Sequence, residues 1–511
     1  MKTTPMGHQQ ECLDKMFRKR NFAILMEQGL GKTWTLLADA ERCFLEGKID
    51  ALLILAPNGV HSNWIRREIP AHMEVKTKSY IWRGRPTSKK AQKKVEDFFQ
   101  NVEPVGKKPL FVFAINIEAL RTAAGVALCE RFIKEHKVMI AVDESTRIKN
   151  HKGVQHKAAK KLGKLCVCRR ILSGTPLTKA PTDLFGQFDF LKPGLLGTKS
   201  YAAFNAQYSV LLEPTDPLMI AVMKKLEGKS VLPPQIVKKD DAGRPMYRNL
   251  DKLAEMIKPH SFRATKEDYL DLPPKIYQTV SFELTKKQRE VYERLRDEYS
   301  FLFDVHGQLK GEYSPIAGGM SIEMDFAAIA ARSKMKQVTS GFINIQQEPV
   351  FLAKEDNPRL KAFDDYIDQL LEVESDRQII VWAIFKEELK AIMQTLKDKG
   401  LSCALYDGST PKEERERIID DFQAGNIQFF VGHAQAAGIG ITLTAASLAI
   451  YYSCSFDWEL RAQSEDRCHR IGTKRSVVYV DIVAEDTIDE DIQISLTSKE
   501  ATAGIVLDSK G

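Results

Sequence analysis

The sequence lacks any long hydrophobic run, which argues against a membrane-spanning helix. None of its apolar stretches approaches the ~20 residues that a helix needs to cross a bilayer. The amino-terminal stretch MKTTPMGHQQECLDKMF also contains no apolar signal core. We therefore expect a cytoplasmic protein that is not secreted and has no membrane partner.

Cysteines are few and scattered. The chain has eight of them, and only Cys166 and Cys168 are close together. One intervening residue is poor spacing for a zinc site or a redox pair, so we expect reduced thiols in a cytosol-like compartment. The sequence also shows no sustained repeat or low-complexity tract.

Neither sign of charge is in large excess. The net charge of +7 permits an anionic partner without requiring one. The stretch RGRPTSKKAQKK, residues 83–94, is locally basic. It is either an additional contact to such a partner or a solvated loop or helix face.

What the sequence does contain is an alternation of short apolar runs with amphipathic helical patterns. This alternation is typical of a parallel sheet covered by helices on both faces, and it predicts an α/β fold. It is clear before about residue 190, gives way to a mostly helical pattern in 191–350, and returns afterwards. A chain of 511 residues is also too long for one core and suggests about two to four domains.

The stretch MEQGLGKT follows the strand candidate NFAILM and precedes a helical pattern. In that context Gly29 and Gly31 would let phosphates approach the backbone closely, because they lack a Cβ atom. Lys32 would contact the β and γ phosphates, and the Thr33 hydroxyl would bind Mg²⁺. Met26 stands where the general phosphate-loop pattern has a glycine, so an ordinary turn is the alternative.

The stretch VMIAVDEST places two adjacent carboxylates at the end of an apolar strand. Asp143 could hold Mg²⁺ through water, and Glu144 could orient and polarise an attacking water molecule. The alternative is a strand that ends in a solvated acidic turn. A glycine loop upstream, at a distance that suits one α/β domain, favours the catalytic interpretation.

The stretch WELRAQSEDRCHRIG has helical spacing. On one helix Gln463, Arg467 and Arg470 would form a single stripe. The two arginines could then act as arginine fingers across a cleft and offset charge on the transferring phosphate. The alternative is local ion pairing with Glu465 and Asp466.

Together these stretches resemble the motifs of a superfamily 2 helicase-type motor, and in detail those of SWI/SNF-type DNA-dependent ATPases. That family does not use a glycine at the position of Met26. The resemblance covers almost the whole chain and implies two RecA-like parallel-sheet lobes with an inserted helical region. It places lobe 1 at residues 1–190, helical protrusions and a linker at 191–350, and lobe 2 at 351–511.

Further motifs carry the resemblance. MGHQQECLDKM is similar to the adenine-sensing segment, which implies that Gln9 contacts the base. LILAPNGVHSNWIRREI resembles motif Ia, LSGTPLTKAPTDLFGQFDF resembles motif III, and HAQAAGIGITLTAAS resembles motif V. Thr146 replaces the usual histidine of motif II, and glutamine replaces a common arginine of motif V. The nucleic-acid contacts implied are Asn58, Asn63, Trp64, Ser173, Thr175, His433 and Gln435.

DESTRIKN resembles motif II with its tail, and QSEDRCHRIG resembles motif VI. These matches imply catalytic roles for Lys32, Glu144, Gln463, Arg467 and Arg470. The forms of both motifs are nearest to the branch that includes fork-remodelling and annealing translocases. The small size of the motor suggests a bacterial or phage source.

The resemblance implies that ATP and Mg²⁺ are the cofactors and that DNA, duplex or forked, is the partner. Contacts should be mainly to phosphates and hence independent of base sequence. The expected activity is ATP-driven translocation on duplex DNA without strand separation. The alternatives are a strand-separating DNA or RNA helicase and, from another class, an ATP-gated DNA-binding clamp with little turnover.

Overall fold

The structure is a computed structural model of the chain. It describes residues 1–58, 60–100, 108–226, 235–241, 244–298, 320–346, 348–353, 356–435, 441–470, 472–473 and 475–507. These residues pack into two compact units. Unit 1 takes the described residues of Met1–Tyr208, Asn249–Asp271 and Thr502–Gly511, and unit 2 takes those of Ser209–Arg248 and Leu272–Ala501. Within these ranges, no helix has both the length and the apolar character needed to span a bilayer.

Strands and helices alternate along most of the chain. The strands are β1 (Asn21–Met26), β2 (Ala51–Ala56), β3 (Thr77–Ile81), β4 (Leu110–Asn116), β5 (Val138–Asp143), β6 (Cys168–Leu172), β7 (Ser261–Ala264), β8 (Lys275–Phe282), β9 (Phe342–Ile345), β10 (Glu348–Phe351), β11 (Ile379–Trp382), β12 (Cys403–Tyr406), β13 (Phe429–Gly432), β14 (Leu448–Tyr451) and β15 (Val477–Ala484). The helices are α1 (Gly7–Met16), α2 (Lys32–Leu45), α3 (His61–Asn63), α4 (Ile69–His72), α5 (Lys89–Phe99), α6 (Ala123–Glu135), α7 (Val154–Lys164), α8 (Asp183–Leu191), α9 (Tyr201–Tyr208), α10 (Pro217–Leu226), α11 (Leu250–Ile257), α12 (Lys266–Tyr269), α13 (Lys286–Glu298), α14 (Met320–Thr339), α15 (Pro358–Val373), α16 (Lys386–Asp398), α17 (Lys412–Gln423), α18 (Trp458–Glu465) and α19 (Ile488–Leu507).

Unit 1 is built on a seven-stranded parallel sheet in the order β3-β4-β2-β5-β6-β1-β7. Side chains along the inner strands alternate between two buried clusters, because successive residues point to opposite faces. In β1, Phe22 and Ile24 join one cluster, while Ala23 and Leu25 join the other. Both faces are therefore covered, which explains why the strands appear in the sequence as continuous apolar runs.

The register of unit 1 brings the carboxyl ends of three strands to one edge. Leu172 of β6 is the partner of Ile24 in β1 and of Asp143 in β5. The glycine loop after β1, the acidic pair at the end of β5 and the loop after β6 are therefore neighbours. Ligands of open α/β sheets bind at this kind of edge.

Unit 2 is built on a six-stranded parallel sheet in the order β12-β13-β11-β14-β15-β8. Its strands also divide their side chains between two buried clusters: Ile379 and Val381 of β11 enter one, Ile380 and Trp382 the other. The strands β9 and β10 form a separate antiparallel pair. The predicted α/β class with two parallel-sheet lobes is confirmed.

Region 191–350 contains more than the predicted helices. The short strand β7 forms one edge of the first sheet, and β8 forms one edge of the second. Apolar periodicity does not reveal these strands, because β7 has four residues and β8 leaves most of its side chains partly or fully exposed. The division of the chain at about residues 190 and 350 stays a prediction.

Candidate active site

The glycine loop lies between β1 and α2 in a conformation that only glycine adopts without strain. Gly29 and Gly31 have positive φ angles of 89° and 77°. Lys32 is the first residue of α2, so its backbone and that of Thr33 lie at the positive end of the helix dipole. The Lys32 ammonium donates to the carbonyl oxygens of Met26 at 3.0 Å and Glu27 at 3.3 Å. The loop therefore has the local form of an anion site.

Helix α1 supports the glycine loop from one side. The amide of Gln9 donates to the carbonyl oxygens of Leu30 and Gly31, both at 3.4 Å, and a ring nitrogen of His8 lies 2.7 Å from the Leu30 oxygen. A Cβ atom at Gly31 would overlap the Gln9 side-chain nitrogen. Gln9 thus contacts the loop itself, and its predicted contact with a nucleotide base stays a prediction.

Asp143 ends β5 as a buried carboxylate. Its Oδ2 accepts a hydrogen bond from the Trp64 indole at 3.1 Å, and its Oδ1 accepts one from the Glu144 backbone at 3.0 Å. Burial raises the pKa of Asp143 above its ordinary value, although the Lys32 ammonium and the Trp64 indole oppose that rise. Trp64 is 1% exposed, and this position makes it a support for the acidic pair. Its predicted contact with nucleic acid stays a prediction.

Glu144 has a left-handed backbone conformation with φ 49° and ψ 62°. This conformation is uncommon for a residue with a side chain, and strain of this kind clusters at functional sites. The next residue, Ser145, donates to the side-chain oxygen of Gln187 at 2.7 Å. Gln187 in turn donates to the carbonyl oxygen of Pro176 at 2.7 Å, which ties the acidic turn to the loop after β6.

The loop after β6 lies against the glycine loop. Ser173 is fully buried and its hydroxyl accepts from the Thr175 backbone at 3.2 Å, while Thr175 is half-buried. A Cβ atom at Gly174 would lie 3.4 Å from the Lys32 ammonium. Of the remaining predicted nucleic-acid contacts in unit 1, Asn58 is exposed and Asn63 is half-buried.

The glycine loop and the acidic pair contain groups that suit the predicted ATP and Mg²⁺. Backbone N–H groups at a helix start, together with Lys32, suit a polyphosphate. The Thr33 hydroxyl and the Asp143 carboxylate are oxygen donors of the kind that Mg²⁺ prefers. In the described part of the chain no cluster of three or more histidine, cysteine, aspartate or glutamate residues could hold a metal. A site with two protein ligands completed by phosphate oxygens needs no such cluster.

In unit 2 the predicted helical stripe is wrong, because α18 ends too early. The helix stops at Glu465, so Gln463 lies inside it while Arg467 and Arg470 follow in a turn. The turn is held by tight backbone hydrogen bonds, such as the one from the Arg467 N–H to the Ser464 oxygen at 3.2 Å. Side chains beyond the last helical turn no longer follow the 3.6-residue period.

The two arginines nevertheless reach the same short segment of motif V. One terminal nitrogen of Arg467 lies 3.3 Å from the Ile441 oxygen, and one of Arg470 lies 3.4 Å from it. The same nitrogen of Arg470 donates to the Thr442 hydroxyl at 3.0 Å. The predicted motifs V and VI are thus hydrogen-bonded to each other, although residues 436–440 of motif V lie outside the described part of the chain.

The Glu465 carboxylate is held by partners other than these two arginines. Its oxygens accept from Arg461 at 2.7 Å, from the Lys275 ammonium at 2.9 Å and from the Tyr277 hydroxyl at 2.9 Å. Arg461 also donates to Asp481 at 3.0 Å. This buried cluster anchors the end of α18 to β8 and β15, and apolar periodicity gives no sign of it.

Two predicted nucleic-acid contacts of unit 2 follow β13. The ring of His433 is half-buried and accepts from the Gln435 backbone at 3.1 Å. Burial lowers the pKa of His433, which favours its neutral form. Gln435 is exposed. Gln463 donates to Glu459 at 3.2 Å within α18, so its predicted catalytic role stays a prediction.

Comparison with known protein families gives two matches in sequence order. Residues 8–350 match the SNF2-related domain, and residues 362–472 match the helicase conserved C-terminal domain. The first match alone covers more than half of the chain. The chain belongs to the SNF2-related family. The predicted family is therefore confirmed, whereas the predicted branch and source stay predictions.

Individual relatives of this SNF2-related chain are distant in sequence. It is 25% identical over 470 residues to an uncharacterized ATP-dependent helicase of Mycoplasma pneumoniae, covering 91% of this chain and 38% of the relative. It is 25% identical over 497 residues to the putative ATP-dependent helicase/translocase YwqA of Bacillus subtilis, covering 95% and 46%. It is 24% identical over 520 residues to the mouse DNA repair and recombination protein RAD54B, covering 94% and 53%.

The SNF2-related chain spans about half or less of the length of these curated relatives. Among solved structures, it is similar to the Sulfolobus solfataricus SWI2/SNF2 ATPase core in complex with dsDNA. The sequence identity is 20%, the TM-score is 0.40, and the match covers 100% of this chain and 98% of that one.

Proposed function

We propose that this chain is a DNA-dependent ATPase that uses hydrolysis to move along duplex DNA. One observation carries the proposal: the loop after β1, the acidic pair of β5 and the loop after β6 share one sheet edge. Phosphoryl transfer depends mostly on positioning and charge neutralisation, and these three loops contain the groups for both. Membership of the SNF2-related family and relatives named ATP-dependent helicases support it.

In this proposal the glycine loop binds the triphosphate of ATP. Backbone N–H groups of Gly29, Gly31 and the start of α2 face the phosphates, and the Lys32 ammonium neutralises charge on the β and γ groups. Thr33 and Asp143 would hold Mg²⁺, which when bound supplies further charge neutralisation. The contact between Trp64 and Asp143 keeps the carboxylate in place for that role.

Glu144 then orients the attacking water molecule. Its backbone has a left-handed conformation, so its side chain does not continue the alternation of side chains along β5. The hydrogen bond from Ser145 to Gln187 holds this turn in place. In unit 2, Arg467 and Arg470 offset the charge that develops on the transferring phosphate, as the family resemblance implies. Their shared contact with Ile441 supports a common role for motifs V and VI.

The proposed partner is double-stranded or forked DNA, bound mainly through its phosphates. The names of the relatives, a helicase/translocase and a DNA repair and recombination protein, support this class of partner. The basic stretch at 83–94 offers a further contact: Lys89, Lys90, Lys93 and Lys94 are exposed on α5, whose apolar side is buried. Binding through phosphates predicts an affinity that falls steeply with salt.

Steady-state ATP hydrolysis tests the proposal directly. The rate is measured without nucleic acid and then with duplex DNA, forked DNA, single-stranded DNA or RNA, with Lys32→Ala as the blank. Strong stimulation by duplex or forked DNA supports the translocase and justifies a triplex-displacement assay. Lys32→Ala should abolish turnover and leave most DNA binding intact, because it removes a phosphate contact and no DNA contact.

A strand-separating helicase is the second candidate, because relatives carry the name helicase and residues 362–472 match the helicase conserved C-terminal domain. Stimulation by single strands or RNA only, with unwinding of a tailed duplex, would favour it. Slow turnover with tight ATP-dependent retention on DNA would instead favour a clamp.

A further inference from the structure

The short strand β7 lies beside the glycine loop although it is distant from it in sequence. It pairs with β1 in parallel register, with Leu25 opposite Arg263 and Met26 opposite Ala264. The pairing continues past the strand end, because the Glu27 N–H donates to the Ala264 oxygen at 3.0 Å. The first residue of the glycine loop is thus fixed to the end of β7.

Arg263 extends from β7 to two loops at once. One terminal nitrogen donates to the Gly174 oxygen at 3.1 Å, in the loop after β6. The other donates to the Glu27 carboxylate at 3.3 Å, at the start of the glycine loop. The second carboxylate oxygen of Glu27 accepts from the Lys266 backbone at 2.9 Å. Glu27 is therefore held on both sides by the segment that contains Arg263.

These contacts lie next to the phosphate-binding lysine. The backbone oxygen of Glu27 accepts from the Lys32 ammonium at 3.3 Å and from the Leu30 N–H at 3.3 Å. Gly174 also lies near this ammonium, since a Cβ atom there would lie 3.4 Å from it. A single guanidinium thus joins the two loops that flank Lys32.

We propose that Arg263 is a positioning residue for ATP binding and hydrolysis, which holds the glycine loop through Glu27 and the Ser173–Thr175 loop through Gly174. The inference rests on the proposed function. A partly exposed ion pair alone contributes little to stability. The additional bond to a backbone oxygen fixes the guanidinium, because its planar set of donors reaches acceptors in different directions.

Arg263→Gln, compared with Arg20→Gln, tests this role. Arg20 also donates to a backbone oxygen in unit 1, that of Val167 at 3.0 Å, but it lies just before β1, at the opposite end of the strand. For both variants we would measure equilibrium binding of a fluorescent non-hydrolysable ATP analogue, kcat at saturating ATP, and the thermal midpoint.

We expect Arg263→Gln to weaken analogue binding or lower kcat by about ten- to a hundredfold, the range for losing a hydrogen bond from a charged group. Arg20→Gln should stay within about twofold of wild type in both quantities. Arg263→Lys should recover part of the loss, because lysine keeps the charge but not the planar fork. If folded Arg263→Gln matches Arg20→Gln in binding and kcat, the proposal is overturned.

The role of Arg263 can also be tested if Arg263→Gln does not fold or if the wild-type chain does not hydrolyse ATP. If Arg263→Gln does not fold, Glu27→Gln weakens the same contact and leaves the strand intact, and unchanged binding and kcat in that variant would overturn the positioning role. A wild-type chain that binds the analogue without hydrolysing ATP contradicts the proposed ATPase, and the binding measurements then decide the role of Arg263 alone. A wild-type chain that binds no analogue overturns both.

Discussion

Replacing Glu465 by glutamine removes one charge from a buried cluster in unit 2. The side chain is 1% exposed, and its two oxygens accept from Arg461, Lys275 and Tyr277 at 2.7–2.9 Å. With Asp481, the cluster contains two positive and two negative groups. Glutamine has the same shape, so the substitution leaves two positive groups with one negative partner and makes no cavity.

The expected cost follows from the burial of the remaining partners. Removing one partner of a buried ion pair costs about 3–5 kcal/mol. Arg461 keeps its bond to Asp481, and the Lys275 side chain is 29% exposed, so water screens part of the uncompensated charge. We therefore expect about 3 kcal/mol of lost stability in unit 2, at the lower end of that range.

Hydrogen exchange of the backbone amides in α18 and β15 is the appropriate assay, because it reports on these elements separately from the rest of the chain. A loss of about 3 kcal/mol speeds exchange through opening of unit 2 by roughly a hundredfold. Asp368→Asn is the control: it removes one surface partner of Lys399, which keeps Asp364 at 3.0 Å, and should cost less than about 1 kcal/mol.

The pH dependence of stability provides an independent test of the Glu465 cluster. Burial raises the pKa of Glu465, but Lys275 and Arg461 lower it more, from 4.5 to about 2. The ionised carboxylate therefore stabilises the fold fully above about pH 4.5, and this contribution is lost as the pH falls towards 2. The difference between wild type and Glu465→Gln should shrink over that interval. A difference that is independent of pH, or exchange as slow as in the control, would refute the reasoning.

Three further predictions concern the candidate active site and its partner motif. Gly31→Ala should weaken ATP-analogue binding, because the new Cβ displaces the Gln9 amide from the loop and the positive φ is strained for alanine. Gly47→Ala has a similar φ of 69° and open space, so it should cost about 1–2 kcal/mol in stability and leave binding intact. Glu144→Gln should bind ATP and retain it in a rapid-filtration assay, and rapid turnover by this variant would contradict its role in orienting water. If Arg470 acts as an arginine finger, Arg470→Ala should lower the steady-state kcat by about 10³-fold or more, and a near-wild-type rate would contradict that role.

Several features of this protein follow from the sequence by itself. Continuous apolar runs that end in polar loops predict parallel strands buried on both faces, and the inner strands of both sheets have this form. The glycine spacing and the adjacent carboxylates identify loops that suit phosphate chemistry, and the order of the motifs identifies the SNF2-related family. These are local signals, since each depends on residues within one strand–loop–helix segment.

The sequence predicts the ends of helices less well than it predicts the strands and the motif loops. The apparent stripe of Gln463, Arg467 and Arg470 depends on a helix that continues past Glu465, but the chain turns there. Capping and tight turns compete with helix continuation by only small free energies, so periodicity alone does not decide where a helix stops. The tertiary contacts of Glu465 with Lys275 and Tyr277 stabilise the end at this residue.

The partners of the site residues were decided only by the tertiary structure. Trp64 and Asp143 are 79 residues apart in the chain, and Glu27 and Arg263 are 236 apart. The physical reason is the parallel sheet: crossover connections bring the carboxyl ends of strands that are distant in sequence to one edge, and strand order selects which side chains meet there. Apolar patterns in the sequence predict which side chains of a strand are buried, but they do not predict which strands lie beside it in the sheet.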